Sequence, residues 1–590
     1  MFLNVAKCVT ICVTFAFFTL GCGAEVKHYN NLIVGGGPAG LYTAWRLSSK
    51  SGRPNESTAI FEWSAKRLGG RIFTKTFQYG QHLELGGMRF TEEHKVLQKV
   101  LTMLNLTHHI VNFTMTSDRL YYIRGEHIYG SRISYRGVPY KTDVPEYSRM
   151  DPTQLFEKIA DRVIGGNQPG NAEEWCRFYD NATLPSSFNS TIYKAGDVIG
   201  NIGYWNLLMD QLGSEAFQYL ADAGGYTANV INQNAAQAVH RNSEFGNGVK
   251  FKTLDRGYSL LIDKLANESL KQSVKIFRGQ RLTHFHWDAK VKKFYSTFVQ
   301  YDENGTSTSN QTVVTSDTLF LCMPKNSIDL IHENDVANSS SWPHSELKVL
   351  KNSRGKYFIE SIIQQPAYKI GLLYNTSWWL NATFPPNLNK LYLERKTENL
   401  NYGPSITDLP LRQIYYMGDN RMGYKLQYFS ILASYDDTHF PKFWRGLELT
   451  PQQVATKPTS EDLQPLSQGT KVPENMLQMV QKQLNLVHFN TTEMKVPKPI
   501  DGYFMNWDLN PFQAGYHAWK PHYKLAEAQY YMTRPGEEVG VPLFVAGSAY
   551  SNIQGWVEGA FDTAESILVD KFGLPPLTEN YLLICRPQNK

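Results

Sequence analysis

Asn31-Leu-Ile-Val34 is a short apolar run that leads into Gly35-Gly-Gly37-Pro-Ala39-Gly40, and residues 41–47 continue with helical spacing. Three glycines in a G-x-G-x-x-G turn between strand and helix suit a pyrophosphate. Gly35 permits the tight turn, Gly37 lets a phosphate approach the backbone, Gly40 lets helix and strand pack closely, and Ala39 lies inside the turn. A second apolar run, Ala59-Ile-Phe61, ends in Glu62, about 20 positions past Gly40. An acid there suits the hydroxyls of an adenosine ribose and repels a 2′-phosphate. Leu68-Gly-Gly70-Arg71 follows, with paired glycines for close backbone approach and an arginine fork for phosphate. Together these residues point to a bound dinucleotide.

The other end of the chain carries a matching set. Leu543-Phe-Val-Ala-Gly547 reads as a buried strand, and the sequence opening at Gly555-Trp556 has apolar residues at 557, 560, 561, 564, 567 and 568, an amphipathic helix. Trp507 and Pro511 lie in a Trp-x-x-x-Pro-x-x-x-Gly segment ending at Gly515-Tyr516, and residues 319–324 form an apolar run ending in proline. In this order the five motifs resemble the flavin-dependent amine oxidases. The resemblance implies FAD, with the N-terminus of the helix after Gly555-Trp556 facing the flavin pyrimidine ring, where it favours the negative charge of the reduced form. Two departures are visible. Ser548 stands where most of that family has an acid, which puts cofactor affinity in doubt; no cysteine follows Gly515, so FAD is expected to be non-covalent.

Leu85-Gly86-Gly87-Met88-Arg89 narrows the resemblance to secreted L-amino acid oxidases. With Gly555-Trp-Val-Glu-Gly-Ala560, it is most similar to the gastropod achacin- and aplysianin-like group. There the arginine clamps the substrate α-carboxylate, and a guanidinium fork suits that group bidentately. The resemblance assigns Arg89 to the clamp, Lys369 to a water near flavin N5, and Trp556 and Tyr516 to walls beside the substrate. Tyr435 is either the tyrosine assisting Arg89 or a core aromatic. His240 is a weaker candidate for a mobile active-site histidine, against a surface histidine. The implied reaction is oxidative deamination of an L-amino acid by O2, giving a 2-oxo acid, ammonia and H2O2. In secreted relatives that peroxide is antibacterial or cytotoxic. Alternatives are an amine or polyamine oxidase, or a degenerate or repurposed member of the scaffold. A pocket selective for Lys or Arg would need an acid, for which Asp222 and Glu558 are available.

These segments must be positioned by an α/β fold: a discontinuous Rossmann-like FAD-binding domain (28–80, 245–330 and 500–575), a mixed-sheet substrate domain (81–149 and 331–499) and a helical lid (150–244). Helical spacing is clear around residues 201–223, and Pro/Ser-rich stretches at 451–467 and 338–345 read as loops. The chain has 590 residues, 13% aromatic and 19% charged, with a formal charge of +5 and no long basic run, which excludes global disorder and disfavours a nucleic-acid partner. Residues 1–24 have the layout of a secretory signal peptide; its removal takes Lys7 and no acid, leaving +4. Later segments are too short or too polar to span a bilayer, so no membrane anchor is expected. Asn-x-Ser/Thr sequons from Asn55 to Asn490 suggest surface glycans. Beyond the signal, Cys322 reads as a buried thiol and Cys176–Cys585 is the one pairing entertained. Metal-binding spacings are absent, and oligomeric state is left open, a homo-oligomer included.

Overall fold

The computed structural model describes residues 26–587 apart from 116–117, 167, 244–247, 334–347, 382–399, 418–427, 450–468, 490, 510–511 and 580–582. The expected signal peptide, the two Pro/Ser-rich loops, Pro511, Asn338 and Asn490 therefore lie outside the described residues.

Leu32, Ile33 and Val34 are apolar on both faces because the strand Lys27–Val34 sits in the middle of a sheet. Its parallel neighbours are Thr58–Phe61 on one side and Ser307–Leu321 on the other. Lys275–Phe277 extends the first edge, and Leu543–Val545 pairs in parallel with the end of Ser307–Leu321. The longer part of that strand turns back antiparallel through Lys293–Tyr301 to Gln280–Asp288. The expected strands at 31–34, 59–61, 319–321 and 543–545 thus become adjacent in one sheet, although they span most of the chain.

Two helices close over this sheet. Pro38–Ser48 starts at the glycine turn with proline at its first position, where the missing N–H is not needed. Val557–Phe572 starts after Gly555, whose φ of 87° lies in the left-handed region. They are joined by Glu565, fully buried, which takes hydrogen bonds from Tyr42 Oη at 2.6 Å and from Arg46 Nε and Nη2 at 3.0 and 2.8 Å. Tyr42 also stacks on Phe561 with ring centroids 4.6 Å apart.

The second large sheet runs in the order Thr470–Lys471, Asp501–Asn506, Ala367–Tyr374, Phe429–Asp437, Gln413–Met417, Tyr402–Thr407, Leu120–Ile123, Glu126–Tyr129. Alternation along Ala367–Tyr374 explains its two faces. Tyr368, Ile370, Leu372 and Tyr374 join an aromatic core with Trp378, Trp379, Trp444 and the helix Glu474–Phe489. Ala367 and Lys369 point the other way, into a cavity also lined by Gly35 and Gly37. Between residues 150 and 244 lie the helices Pro152–Ile164, Ala172–Asn181, Tyr204–Ala223 and Ala235–Ser243. Asp151 and Gln154 form a capping box at the first of them, and Gly213, at φ 73°, kinks the third.

Cys176 and Cys585 form a disulfide, and Cys322 is a buried free thiol. The sequons at Asn55, Asn105, Asn112, Asn181, Asn189, Asn267, Asn304, Asn310 and Asn375 are exposed. No helix among the described residues is long and apolar enough to cross a membrane. The disulfide closes a loop over a sequence separation of 409 residues, so it restricts the unfolded chain strongly. Replacing both cysteines by serine is expected to lower stability by about 2–4 kcal/mol. Urea unfolding of the two proteins measures this, and coincident midpoints would contradict it.

Candidate active site

The glycine turn leaves space where a ligand needs it and none elsewhere. A Cβ on Gly35, which has φ 109°, would sit 2.3 Å from the carbonyl oxygen of Cys322, and one on Gly40 would sit 1.9 Å from that of Gly35. Gly37 meets only Gly70, at 3.7 Å, so backbone amides at the helix start remain approachable. Glu62, at the end of its strand, is aligned by the amides of Gly36 and Ser64, each 2.7 Å away; burial raises its pKa and these bonds oppose the rise. Arg71 donates to the Gly515 carbonyl and to Ser548 Oγ, both at 3.1 Å, and burial lowers its pKa to about 10. Ser548 therefore partners the arginine expected at the phosphates.

One continuous cavity runs along these residues. It is lined by Gly35, Gly37, Ala39, Glu62, Gly70, Arg71, Gly87, Met88, Arg89, Lys369, Tyr435, Trp507, Tyr516, Gly547, Ser548, Gly555 and Trp556. Of the residues assigned to the cofactor, Gly40 alone is absent from the lining; it packs behind the turn, where a side chain would collide with Gly35. The sugar end is completed by Trp63, Gln280 and Arg281, which the motifs did not reveal. Trp63 Nε1, Gln280 Oε1 and Arg281 Nε are buried there without hydrogen-bond partners, as expected of groups that a polar ligand satisfies.

At the far end Arg89 is 5% exposed and surrounded by aromatic rings. Its guanidinium lies 4.0 Å from the Phe251 ring centroid, 5.4 Å from Phe113 and 5.9 Å from Tyr415, and Nη2 reaches Tyr226 Oη at 3.5 Å. Burial works against its charge, but the hydroxyls of Tyr415, Tyr226 and Tyr435 hold its pKa above the ordinary value. Tyr435 pairs directly with Lys369 across the antiparallel register, and Lys369 Nζ stands 4.2 Å from its ring centroid. The tyrosine thus lines the cavity instead of filling the aromatic core. Lys369 is 2% exposed and donates to the carbonyls of Glu84 and Gly86 at 3.1 and 2.6 Å. Burial lowers its pKa to about 7, and burial likewise raises that of Glu84 to about 7. Trp507 Nε1 donates to the Leu85 carbonyl at 2.8 Å, fixing the loop before Arg89.

Asp437, missed from sequence, organises this end. Its buried carboxylate accepts Tyr516 Oη at 2.5 Å and the amides of Thr227 and Ala228 at 3.1 Å each. The only signal was a pair of acids closing an apolar strand. His240, by contrast, is neither at the cavity nor on the surface. It stacks on Trp175 at 3.9 Å and bonds Tyr179 Oη, and burial lowers its pKa to about 4. Its neighbour Arg241 lines the cavity instead. Asp222 is taken by Tyr140 Oη and Gln218, and Glu558 caps the helix Lys95–Met103 through the amides of Val96 and Leu97. Neither acid reaches the cavity. Among the described residues no group of three or more metal-ligating side chains occurs.

The model of the flavin containing amine oxidoreductases matches residues 38–423. The chain belongs to that family. Family membership implies a flavin, and the glycine cradle, Glu62, Arg71 and the unsatisfied polar groups at the sugar end fit one. Aplysianin-A of Aplysia kurodai is 22% identical over 92% of this chain and 90% of its own, and achacin of Lissachatina fulica is 22% identical over 92% of each. Among solved structures, putrescine oxidase bound to putrescine superposes with a TM-score of 0.58 at 15% identity, covering 92% of this chain and 98% of that one. This likeness establishes the flavin amine oxidase fold, of α/β class with mixed sheets and helices.

Asp437→Ala would leave two buried amides and a phenol without their acceptor. A loss of stability on the order of 3 kcal/mol is expected in denaturant unfolding. A change below about 0.5 kcal/mol, the range of an ordinary surface substitution, would contradict the role given to Asp437.

Proposed function

We propose that this chain is a secreted L-amino acid oxidase holding FAD non-covalently, converting L-amino acids, O2 and water to 2-oxo acids, ammonia and H2O2. The observation that carries this reading is Arg89: a buried guanidinium at the end of the cofactor cavity, framed by three tyrosine hydroxyls. A carboxylate is the group such a fork takes best. When bound, FAD supplies the redox chemistry, accepting hydrogen from the substrate carbon and returning electrons to O2.

The side chains orient and hold protons. Arg89 and Tyr435 take the α-carboxylate, while Tyr516 and Trp556 confine the remainder of the substrate. Lys369, neutral above about pH 7, holds water for hydrolysis of the imino acid. The turn at Gly35–Gly40 with Arg71 and Ser548 binds the pyrophosphate, and Glu62 binds the ribose. In domain terms, 28–80, 245–330 and 500–575 carry the cofactor, 81–149 and 331–499 face the substrate, and 150–244 covers the site. The signal-like N-terminus and the exposed sequons support secretion as a glycoprotein, and the achacin- and aplysianin-like resemblance supports an antimicrobial use of the peroxide.

A diamine substrate is the competing reading, favoured by the fold shared with putrescine oxidase. It is disfavoured by the buried charge of Arg89, which lines the cavity. Arg89→Ala is expected to lower kcat/KM for L-amino acids by about 10³-fold, roughly 4 kcal/mol of transition-state binding, with flavin retained. Unchanged peroxide production from L-amino acids would defeat the clamp, and faster turnover of putrescine than of any L-amino acid would support the competing reading.

Lys369 is protonated below pH 7 and neutral above it, so kcat/KM should rise from acid to neutral pH along a limb centred near 7. Lys369→Met should remove that limb. A limb that persists in the variant belongs to another group.

A further inference from the structure

Arg241 carries a buried charge that the chain itself hardly satisfies. It projects from the helix Ala235–Ser243, is 7% exposed, and lines the same cavity as Arg89. Among the described residues its one hydrogen bond is long: Nη1 to the His517 carbonyl at 3.5 Å. The guanidinium stands 5.5 Å from the Tyr516 ring centroid, Nε is buried without a partner, and no carboxylate among the described residues pairs with it. A buried guanidinium left in this state is costly and is retained where a ligand completes it.

Its place in the site indicates which ligand. Nη2 comes within 3.8 Å of where a Cβ on Gly555 would lie, so Arg241 stands beside the Gly555-Trp556 opening of the terminal helix. Tyr516, beneath it, is tied to Asp437, and the same carboxylate holds the amide following Tyr226, whose hydroxyl meets Arg89. The two arginines are therefore fixed to one frame. Among the residues lining the cavity, Glu62 is the sole carboxylate, and it is bonded to Gly36 and Ser64 at the sugar end. The adjoining cavity past Arg89 does contain Glu157 and Asp161, but both are exposed to solvent.

We propose that Arg241 is the subsite for an acidic side chain, so that the substrates of choice are dicarboxylic L-amino acids. Arg89 takes the α-carboxylate and Arg241 the side-chain carboxylate. The inference rests on the L-amino acid oxidase reading and adds no new chemistry: a two-electron oxidation of the Cα–N bond to an imine, O2 reduced to H2O2, and water releasing ammonia. It excludes cationic side chains, which would meet a guanidinium with no acid to offset it.

The test is peroxide production by the holoenzyme with L-glutamate, L-aspartate, their amides, L-leucine and L-lysine. The wild type is expected to prefer an acid to its isosteric amide by at least 100-fold in kcat/KM. Arg241→Gln should bring that ratio near one, and Arg241→Lys should retain part of it. Glutarate should raise the Tm of the wild type more than butyrate does, and Arg241→Gln should lose the difference. Equal rates with acid and amide, or an Arg241→Gln defect that is uniform across substrates with weakened flavin binding, would overturn the subsite and give Arg241 to the cofactor. Oxidation of neutral amino acids alone defeats the subsite but leaves the oxidase reading standing, whereas oxidation of no amino acid defeats both.

Discussion

The buried contact of Glu565 with Tyr42 and Arg46 is the constraint on which the rest depends. It joins the first helix of the described chain to the last, across a sequence separation of 523 residues for the tyrosine. Both helices begin at the cavity, Pro38–Ser48 beside the phosphate turn and Val557–Phe572 after Gly555-Trp556. Two helix N-termini thus face the same cavity with partial positive charge. A buried carboxylate is tolerated here because a bidentate arginine and a phenol hydroxyl satisfy it; removing one partner would leave an uncompensated charge. The fold cannot assemble its cofactor site until the two ends of the chain have met, and the disulfide between Cys176 and Cys585 ties the helical segment to that same terminus.

The other end of the cavity is governed by electrostatics. Arg89 and Arg241 line it as cations, with Lys369 joining them below about pH 7, while the acids nearby are either protonated more readily than usual, as with Glu84, or enclosed by hydrogen bonds, as with Asp437. Tyr226, Tyr435 and Tyr516 keep their protons because burial raises their pKa values, so they act as neutral donors around the positive charges. On the proposed reading such a site receives the negative charge of a carboxylate, the property that would separate it from a diamine site built on the same fold.

Much of this was legible in the sequence where a local rule applied. The glycine turn, Glu62 and the strands at 31–34, 59–61 and 543–545 were readable because close backbone approach and burial on both faces restrict residue type. Lys369 and Arg89 were readable from flanking motifs, not from their own types; a lysine in a strand is ordinarily solvated, and only its central position in a paired sheet buries this one. The residues that escaped notice depend on contacts distant in sequence. Asp437 matters because Tyr516 and the 227–228 amides arrive beside it, and Trp63, Gln280 and Arg281 meet only through the sheet. At residues 240 and 241 sequence attention fell on the histidine, whereas the helix turns His240 onto Trp175 and its neighbour into the cavity. Ser548, which stands where the resembled family has an acid, partners Arg71, a contact between residues distant in sequence.

The central claim is that this cavity recognises the carboxylate of its substrate. Anaerobic mixing of the flavin-loaded protein with an L-amino acid and, separately, with the amine formed by removing only its α-carboxylate isolates that group. Bleaching of the flavin band near 450 nm by the amino acid, at least 100-fold faster than by the amine, is the result expected. Equal rates, or faster bleaching by the amine, would contradict it.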